Sequence, residues 1–204
     1  MKAPNPKLQI PVNPESFRGW SMKLVIWSFL FPLLVLTGGQ AELAEESLPS
    51  EYQLKAAYLF NFAKFVEWPP EAFPEPTAPF TIGILGEDPF DEDLERTVKG
   101  KAVAGRRLVI RHVKALAELK SCHIVFISRS ESRKTGRWRE IFKALGAACA
   151  LTVSEADGFV EAGGMINFVT EGTRVRFQIN DQAARRAGLK ISSKLLNLAK
   201  KEEP

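Results

Sequence analysis

The stretch FTIGILG, residues Phe80–Gly86, decides the fold. It is a short apolar run without alternating polar residues, so it predicts a strand that is buried on both faces. The runs HIVFIS (His123–Ser128) and CALTVS (Cys149–Ser154) have the same character, and RLVIRHV (Arg107–Val113) is a fourth strand. Strands buried on both faces are typical of parallel sheets covered by helices.

Helical segments separate these strands. Asp88 and Pro89 supply an N-cap and a first helical residue, which predicts a helix over Pro89–Lys99. Ala115–Leu119 predicts a short helical turn, and Gly136–Leu145 carries apolar residues at helical spacing. The alternation predicts an α/β fold with three layers and a mostly parallel sheet of four βα units.

The pattern changes near the C-terminus. MINFV (Met165–Val169) and TRVRFQIN (Thr173–Asn180) flank a short turn, and the second segment alternates apolar and polar residues. This alternation predicts a β-hairpin with one solvated face, placed at the edge of the sheet. Short helices follow, one over Asp181–Ala187 and one that starts at Ser192 or Ser193.

An added N-terminal helix is predicted from Ser50 to about Glu67, with Ser50 and Gln53 as its capping box. It includes most of the aromatic-rich stretch LKAAYLFNFAKFVEWPP, residues Leu54–Pro70. Its apolar arc should meet the sheet, and Lys55 lies inside that arc, where it either snorkels to water or pairs with a carboxylate. The other side of the helix carries an aromatic residue among polar ones. This pattern predicts a partner or dimer surface formed by Phe60, Asn61, Lys64 and Trp68.

The N-terminal part of the chain has the features of a secretory signal. The apolar run Leu24–Leu36 follows Lys23 and ends near Gly39 and Ala41, and its 13 residues are too few to span a bilayer. Residues 1–41 are therefore predicted to be a leader and a cleaved signal, with the start codon at Met1 or Met22. Residues 42–204 would form a single exported α/β domain.

Charge and composition exclude several classes of function. Residues 1–41 hold four of the 28 basic residues but one of the 24 acidic residues, so the mature chain would carry a net charge of +1. A nearly neutral domain gives no electrostatic reason to expect nucleic acid binding. The chain has no phosphate-binding or nucleophile motif, and we expect no catalytic residues, no metal and no cofactor.

The two cysteines leave two alternatives open. Cys122 and Cys149 both lie at the starts of predicted strands, and an even pair in an oxidising compartment invites a disulfide. Two buried free thiols are the other alternative.

A ligand site is predicted at the carboxyl ends of the strands, where open α/β sheets bind small molecules. Arg129 and Ser154 lie there, and Arg174 and Arg176 project from the solvated face of the hairpin. Paired arginines are suited to a phosphate or a carboxylate. A solvated edge that prevents aggregation is the alternative for the hairpin arginines.

Six blocks in order resemble the YfiR family of exported bacterial proteins. They are Ala56–Pro69, Ile82–Phe90, Cys122–Ser128, Leu151–Val169, Val175–Asn180 and Ala187–Ala199. The resemblance implies a dimeric periplasmic regulator, not an enzyme, that restrains an inner-membrane diguanylate cyclase through its periplasmic sensor domain. Cyclic-di-GMP output and biofilm formation would then respond to the envelope. The resemblance also implies a redox input through cysteines. This chain departs from the family on that point, because it has only two cysteines.

The sequence therefore predicts a regulator that binds the periplasmic domain of a membrane signalling protein, with a possible small-molecule effector. The alternative is a periplasmic small-molecule binding protein that serves a transporter or a sensor kinase. Its basis is the strand-end crevice with Arg129 and Arg176.

Overall fold

The computed structural model describes residues 48–199, and the predicted leader and signal run lie outside that range. Within the range, none of the helices combines the length and the apolar character needed to cross a membrane.

The described residues contain six helices and nine strands. The helices are α1 (Glu51–Phe65), α2 (Asp93–Val98), α3 (Arg129–Ser132), α4 (Arg137–Leu145), α5 (Asp181–Arg186) and α6 (Ser193–Leu198). The strands are β1 (Val66–Glu67), β2 (Phe80–Leu85), β3 (Ala102–Val103), β4 (Arg106–Val113), β5 (Ile124–Ile127), β6 (Leu151–Ser154), β7 (Ile166–Glu171), β8 (Arg174–Ile179) and β9 (Lys190–Ile191). Short 3-10 helices cover Pro70–Ala72 and Leu116–Ser121.

Seven strands form the main sheet of the described range in the order β3-β4-β2-β5-β6-β7-β8. The five central strands are parallel, whereas β3 and β8 pair antiparallel at the two edges. The predicted α/β class and the edge hairpin are therefore confirmed. The first strand of the hairpin also joins the parallel part of the sheet, because Ile166 of β7 pairs with Val153 of β6.

Apolar side chains cover both faces of the sheet, as the unbroken apolar runs predict. One face, here called the α1 face, packs Ile82 and Phe126 against Leu59 and Phe62 of α1. The opposite face, here called the α4 face, packs Val125 against α4 and the 3-10 helix at 116–121. All six residues of β2 are buried, which a strand between two helical layers requires.

Two helices are shorter than their sequence patterns predict. The helix predicted from Pro89 begins at Asp93, because Asp91 has a φ of 48° and interrupts the helical backbone. The Asp88 carboxylate instead accepts a hydrogen bond from the Phe90 N–H at 2.8 Å in a local turn. Helix α1 ends at Phe65, because Val66 and Glu67 extend to pair with β9.

Candidate functional site

The carboxyl edge of β5 and β6 holds a network of charged side chains that joins the sheet to α1. Lys55 of α1 is only 2% exposed, and its ammonium lies 2.5 Å from Oε2 of Glu155, the residue that follows β6. The same ammonium contacts the Glu51 carboxylate. Of the two alternatives for Lys55, the structure therefore shows the carboxylate pair.

Two further side chains complete this network. The Tyr52 hydroxyl donates to Oε1 of Glu155 at 3.4 Å, and the Lys55 ammonium lies 4.6 Å from the centre of the Tyr52 ring. The Thr170 hydroxyl, near the end of β7, donates to Glu51 at 3.0 Å. The buried ammonium of Lys55 thus connects α1 to the residue after β6. The Glu51 carboxylate connects α1 to β7.

The network favours the charged forms of Lys55 and Glu51 and the neutral form of Tyr52. Burial disfavours the charged form of Lys55, but its hydrogen bonds to Glu155 and Glu51 outweigh burial and raise its pKa. The hydrogen bond from Lys55 lowers the pKa of Glu51. Burial, followed by the charge of Glu155, raises the pKa of Tyr52, so the phenol keeps its proton. The charged and hydroxyl groups of this network bond to one another across the interface between α1 and the sheet.

Arg129 and Ser154, both predicted to bind a ligand, lie at this edge. The exposed Arg129 guanidinium donates to the backbone oxygen of Glu155 at 2.9 Å. Ser154 is fully buried, and its hydroxyl donates to the Ile127 carbonyl at 2.7 Å and accepts from the Ala156 N–H at 3.3 Å. These bonds favour a structural role for Ser154 over ligand binding.

The hairpin arginines lie on the edge strand β8 and are exposed. Arg174 pairs in register with Glu171, and Nε of Arg176 lies 3.2 Å from Oε2 of Glu171. The hairpin's contact with the network described above comes from Thr170. The structure therefore places Arg174 and Arg176 on the edge of the sheet, where either a ligand or solvent can meet them.

The predicted partner surface lies along the end of α1 and beside β3. The half-buried Phe60 ring has the ammonium of Lys101 at 4.6 Å and that of the exposed Lys64 at 5.5 Å from its centre. Asn61 is half-buried next to it. Trp68 follows β1, where its ring packs edge-on against Phe80 at 5.0 Å and its N–H donates to the Ala63 carbonyl at 3.2 Å.

A shallow cavity of about 470 Å³ adjoins this surface. Its lining is mostly apolar, with Lys64 and Glu67 as its charged residues and the half-buried Trp68 as one wall. Trp68 therefore belongs partly to the core and partly to this cavity, and is not a fully exposed anchor at a helix end.

Both cysteines are free in the structure. Cys122 is buried in the apolar cluster of the α4 face, and burial raises the pKa of its thiol. Cys149 precedes β6, because that strand begins at Leu151, and it packs against the cluster of the α1 face. The two side chains belong to different apolar clusters, and the structure forms no disulfide between them.

Sequence reasoning placed Glu155 at the carboxyl ends of the strands but did not identify it as the partner of Lys55, and it missed Asn167. A lysine in an apolar arc indicates either snorkelling or a carboxylate partner, and it does not say which carboxylate. Asn167 pairs in register with Ser154, is 5% exposed, and its Oδ1 has no hydrogen-bond partner among the described residues. Nothing in its sequence context marks it. Across residues 48–199, no group of three or more His, Cys, Asp or Glu side chains is placed to hold a metal ion.

A comparison with protein families gives a match. A family model described as YfiR/HmsC-like matches residues 52–200, nearly the whole described range. No curated protein sequence matches the chain.

Proposed function

Since this chain belongs to the YfiR/HmsC-like family, we propose that it is a non-enzymatic periplasmic regulator that binds the sensor domain of an inner-membrane diguanylate cyclase. Binding represses cyclic-di-GMP synthesis. The observation that carries the proposal is the family match over residues 52–200, because it covers both faces of the sheet and the edge hairpin.

The state of the buried charges supports a binding role. Lys55 and Glu155 are paired with each other, and Tyr52 keeps its proton beside them. A catalytic centre instead needs a nucleophile and a base that are free to form hydrogen bonds or react with a substrate. A ligand at the carboxyl edge would have to break this network, so the geometry gives less support to a small-molecule binding protein that uses that edge.

The surface around Phe60 is the proposed contact for the partner. It combines an aromatic ring with the cations Lys64 and Lys101, and it continues into the apolar cavity beside Trp68. Aromatic residues are enriched at the cores of protein interfaces, and polar residues form the rim. The same surface is the proposed contact of a homodimer.

Repression follows from differential affinity. A regulator that binds the inactive conformation of the cyclase a hundredfold better than the active one shifts that equilibrium by about 2.8 kcal/mol. A signal that weakens the preference releases the cyclase.

The test is deletion of the gene, followed by complementation. Deletion should raise cellular cyclic-di-GMP, and the wild-type gene should lower it again. Phe60→Ala should complement poorly at normal protein level, because it removes the aromatic anchor. Phe142→Ala truncates a half-buried ring on the α4 face and serves as the matched control. Unchanged cyclic-di-GMP on deletion under several envelope stresses would contradict the proposed function, and equal complementation by both variants would contradict the proposed surface.

A further inference from the structure

A second cavity of about 640 Å³ lies at the amino ends of β5 and β6. The ion network lies at the other, carboxyl ends of these strands. The proline-rich loop after α1 forms one wall, and the segments before β5 and β6 form the others. Its volume lies in the range of small-molecule sites. We propose that this cavity binds a small organic monocarboxylate.

His123 is the first observation behind this proposal. It lines the cavity, is 5% exposed, and its Nε2 has no hydrogen-bond partner among the described residues. Nδ1 accepts the Thr81 backbone N–H at 3.0 Å, so in the neutral ring the proton is on Nε2. The Ala72 backbone is near enough to raise the pKa of His123, but it does not meet the geometry of a hydrogen bond to Nε2. Nε2 is therefore a buried donor without a well-formed hydrogen bond, and buried donors are almost always paired. A ligand oxygen would supply the acceptor.

The charges of the lining select the kind of ligand. Arg111 and Lys120 are exposed cations on the wall, and Glu71 is its carboxylate. Arg111 is oriented by a hydrogen bond of 2.9 Å to the Ser121 hydroxyl. Burial lowers the pKa of His123, so its ring adds no charge. The lining thus carries one net positive charge, which matches a monoanion better than a phosphate dianion.

The apolar part of the lining favours a ligand with a hydrocarbon group attached to its carboxylate. Alanines and prolines make up much of the wall, namely Ala72, Pro74, Ala78, Pro79, Ala117, Ala147 and Ala148. They offer apolar contact and no competing hydrogen bonds, which suits a short aliphatic or aromatic group.

The proline-rich loop is held over His123 by Arg106. Its guanidinium donates to the Glu75 carbonyl at 2.9 Å and to the Ala78 carbonyl at 2.7 Å. It also lies 4.0 Å from the centre of the Phe73 ring, which stacks on His123 at 4.5 Å. The cavity therefore has a fixed wall, so a ligand would meet a preformed site.

Binding is tested by calorimetry on the purified exported protein with benzoate, phenylacetate and hexanoate as probes. Benzamide and inorganic phosphate are the comparison ligands. At least one monocarboxylate should bind, and benzamide and phosphate should bind at least tenfold more weakly. The Nε2–H resonance of His123 should shift when that monocarboxylate is added. Binding that is equal for the acid and its amide, or absent for all three acids, would overturn the proposal.

Two variants locate the site. Lys120→Gln and Arg111→Gln should each weaken binding about tenfold, because a hydrogen bond to a charged group contributes that much. Lys114→Gln removes an exposed cation of the neighbouring segment that does not line the cavity, and it should leave binding unchanged. Thermal melting of each variant checks that the fold survives. Equal binding by the three variants would place the ligand elsewhere and overturn the assignment. The outcome does not depend on the cyclase, so it separates this proposal from the proposed function.

Discussion

Lys55 carries a positive charge into the interface between α1 and the sheet, where it is 2% exposed. Its partner Glu155 is 6% exposed, so neither charge can regain water when the other is removed. We expect Lys55→Met to lower the free energy of unfolding by about 3 kcal/mol, because it leaves a buried carboxylate unpaired. Urea unfolding measures the loss.

The control for this prediction is Lys64→Met, which removes an exposed lysine from the same helix. It should change the free energy of unfolding by less than about 0.5 kcal/mol. A loss that is equally small for Lys55→Met would show that the Glu155 carboxylate finds water or another partner.

His123 makes stability depend on pH. Burial lowers its folded pKa below the ordinary value of 6.5. As the pH falls below 6.5, the unfolded chain takes up a proton that folded His123 does not, so the free energy of unfolding should decrease.

His123→Asn keeps an acceptor for the Thr81 N–H and removes the titration. Between about pH 7.5 and about pH 5, its free energy of unfolding should fall less steeply than that of the wild type. Parallel curves would mean that His123 protonates as readily in the folded state as in the unfolded one.

At the scale of elements, β2 packs closely against the chain before β5. A Cβ added at Gly83 would lie 2.6 Å from Sγ of Cys122 and 3.1 Å from the Val113 side chain. Gly83→Ala should therefore lower the free energy of unfolding by about 2 kcal/mol through overpacking.

The double variant Gly83→Ala/Cys122→Ala distinguishes overpacking from a backbone effect. Removing Sγ makes room for the new methyl group, so the second substitution should restore part of the lost stability, as double-mutant cycles detect. If the two losses simply add, the contact between Gly83 and Cys122 is not the cause.

The lengths of α1 and α2 show what local pattern can predict about elements. The Ser50 capping box is present as predicted, and Ser192, one of the two predicted starts of the last helix, caps α6. Asn180 caps α5 in the same way, because a cap depends on side chains within one turn. The end of α1 was predicted less well, since Val66 leaves the helix to pair with Ile191, more than a hundred residues later. Local propensity contains no information about such a partner.

At the scale of the whole molecule, we propose that export and signal cleavage set where the mature chain begins. The small residues at Gly39 and Ala41 predict cleavage after Ala41. The intact mass of the protein from the periplasmic fraction should therefore correspond to a chain that starts at Glu42. A mass that includes Met22 or Met1 would show that the apolar run is retained.

The function also belongs to this scale, because it depends on which surfaces of the molecule remain open. The carboxyl edge, where an α/β sheet usually binds its ligand, is occupied by Lys55 and Glu155. The surface at Phe60 and the cavity at His123 remain accessible on other parts of the molecule. A protein partner and a small effector can thus use separate sites.

The sequence by itself determined six of the nine described strands, their parallel arrangement, the edge hairpin and the family, whereas the two-residue strands β1, β3 and β9 were not predicted. These features follow from local sequence patterns, namely runs of apolar residues and helix caps, and they can be predicted without information about distant contacts. Only the tertiary structure decided that Lys55 pairs with Glu155, that Ser154 is buried, and that Cys122 and Cys149 pack in opposite clusters. Those outcomes depend on which side chains meet across the sheet, and a buried charge takes whichever partner the packing places within reach.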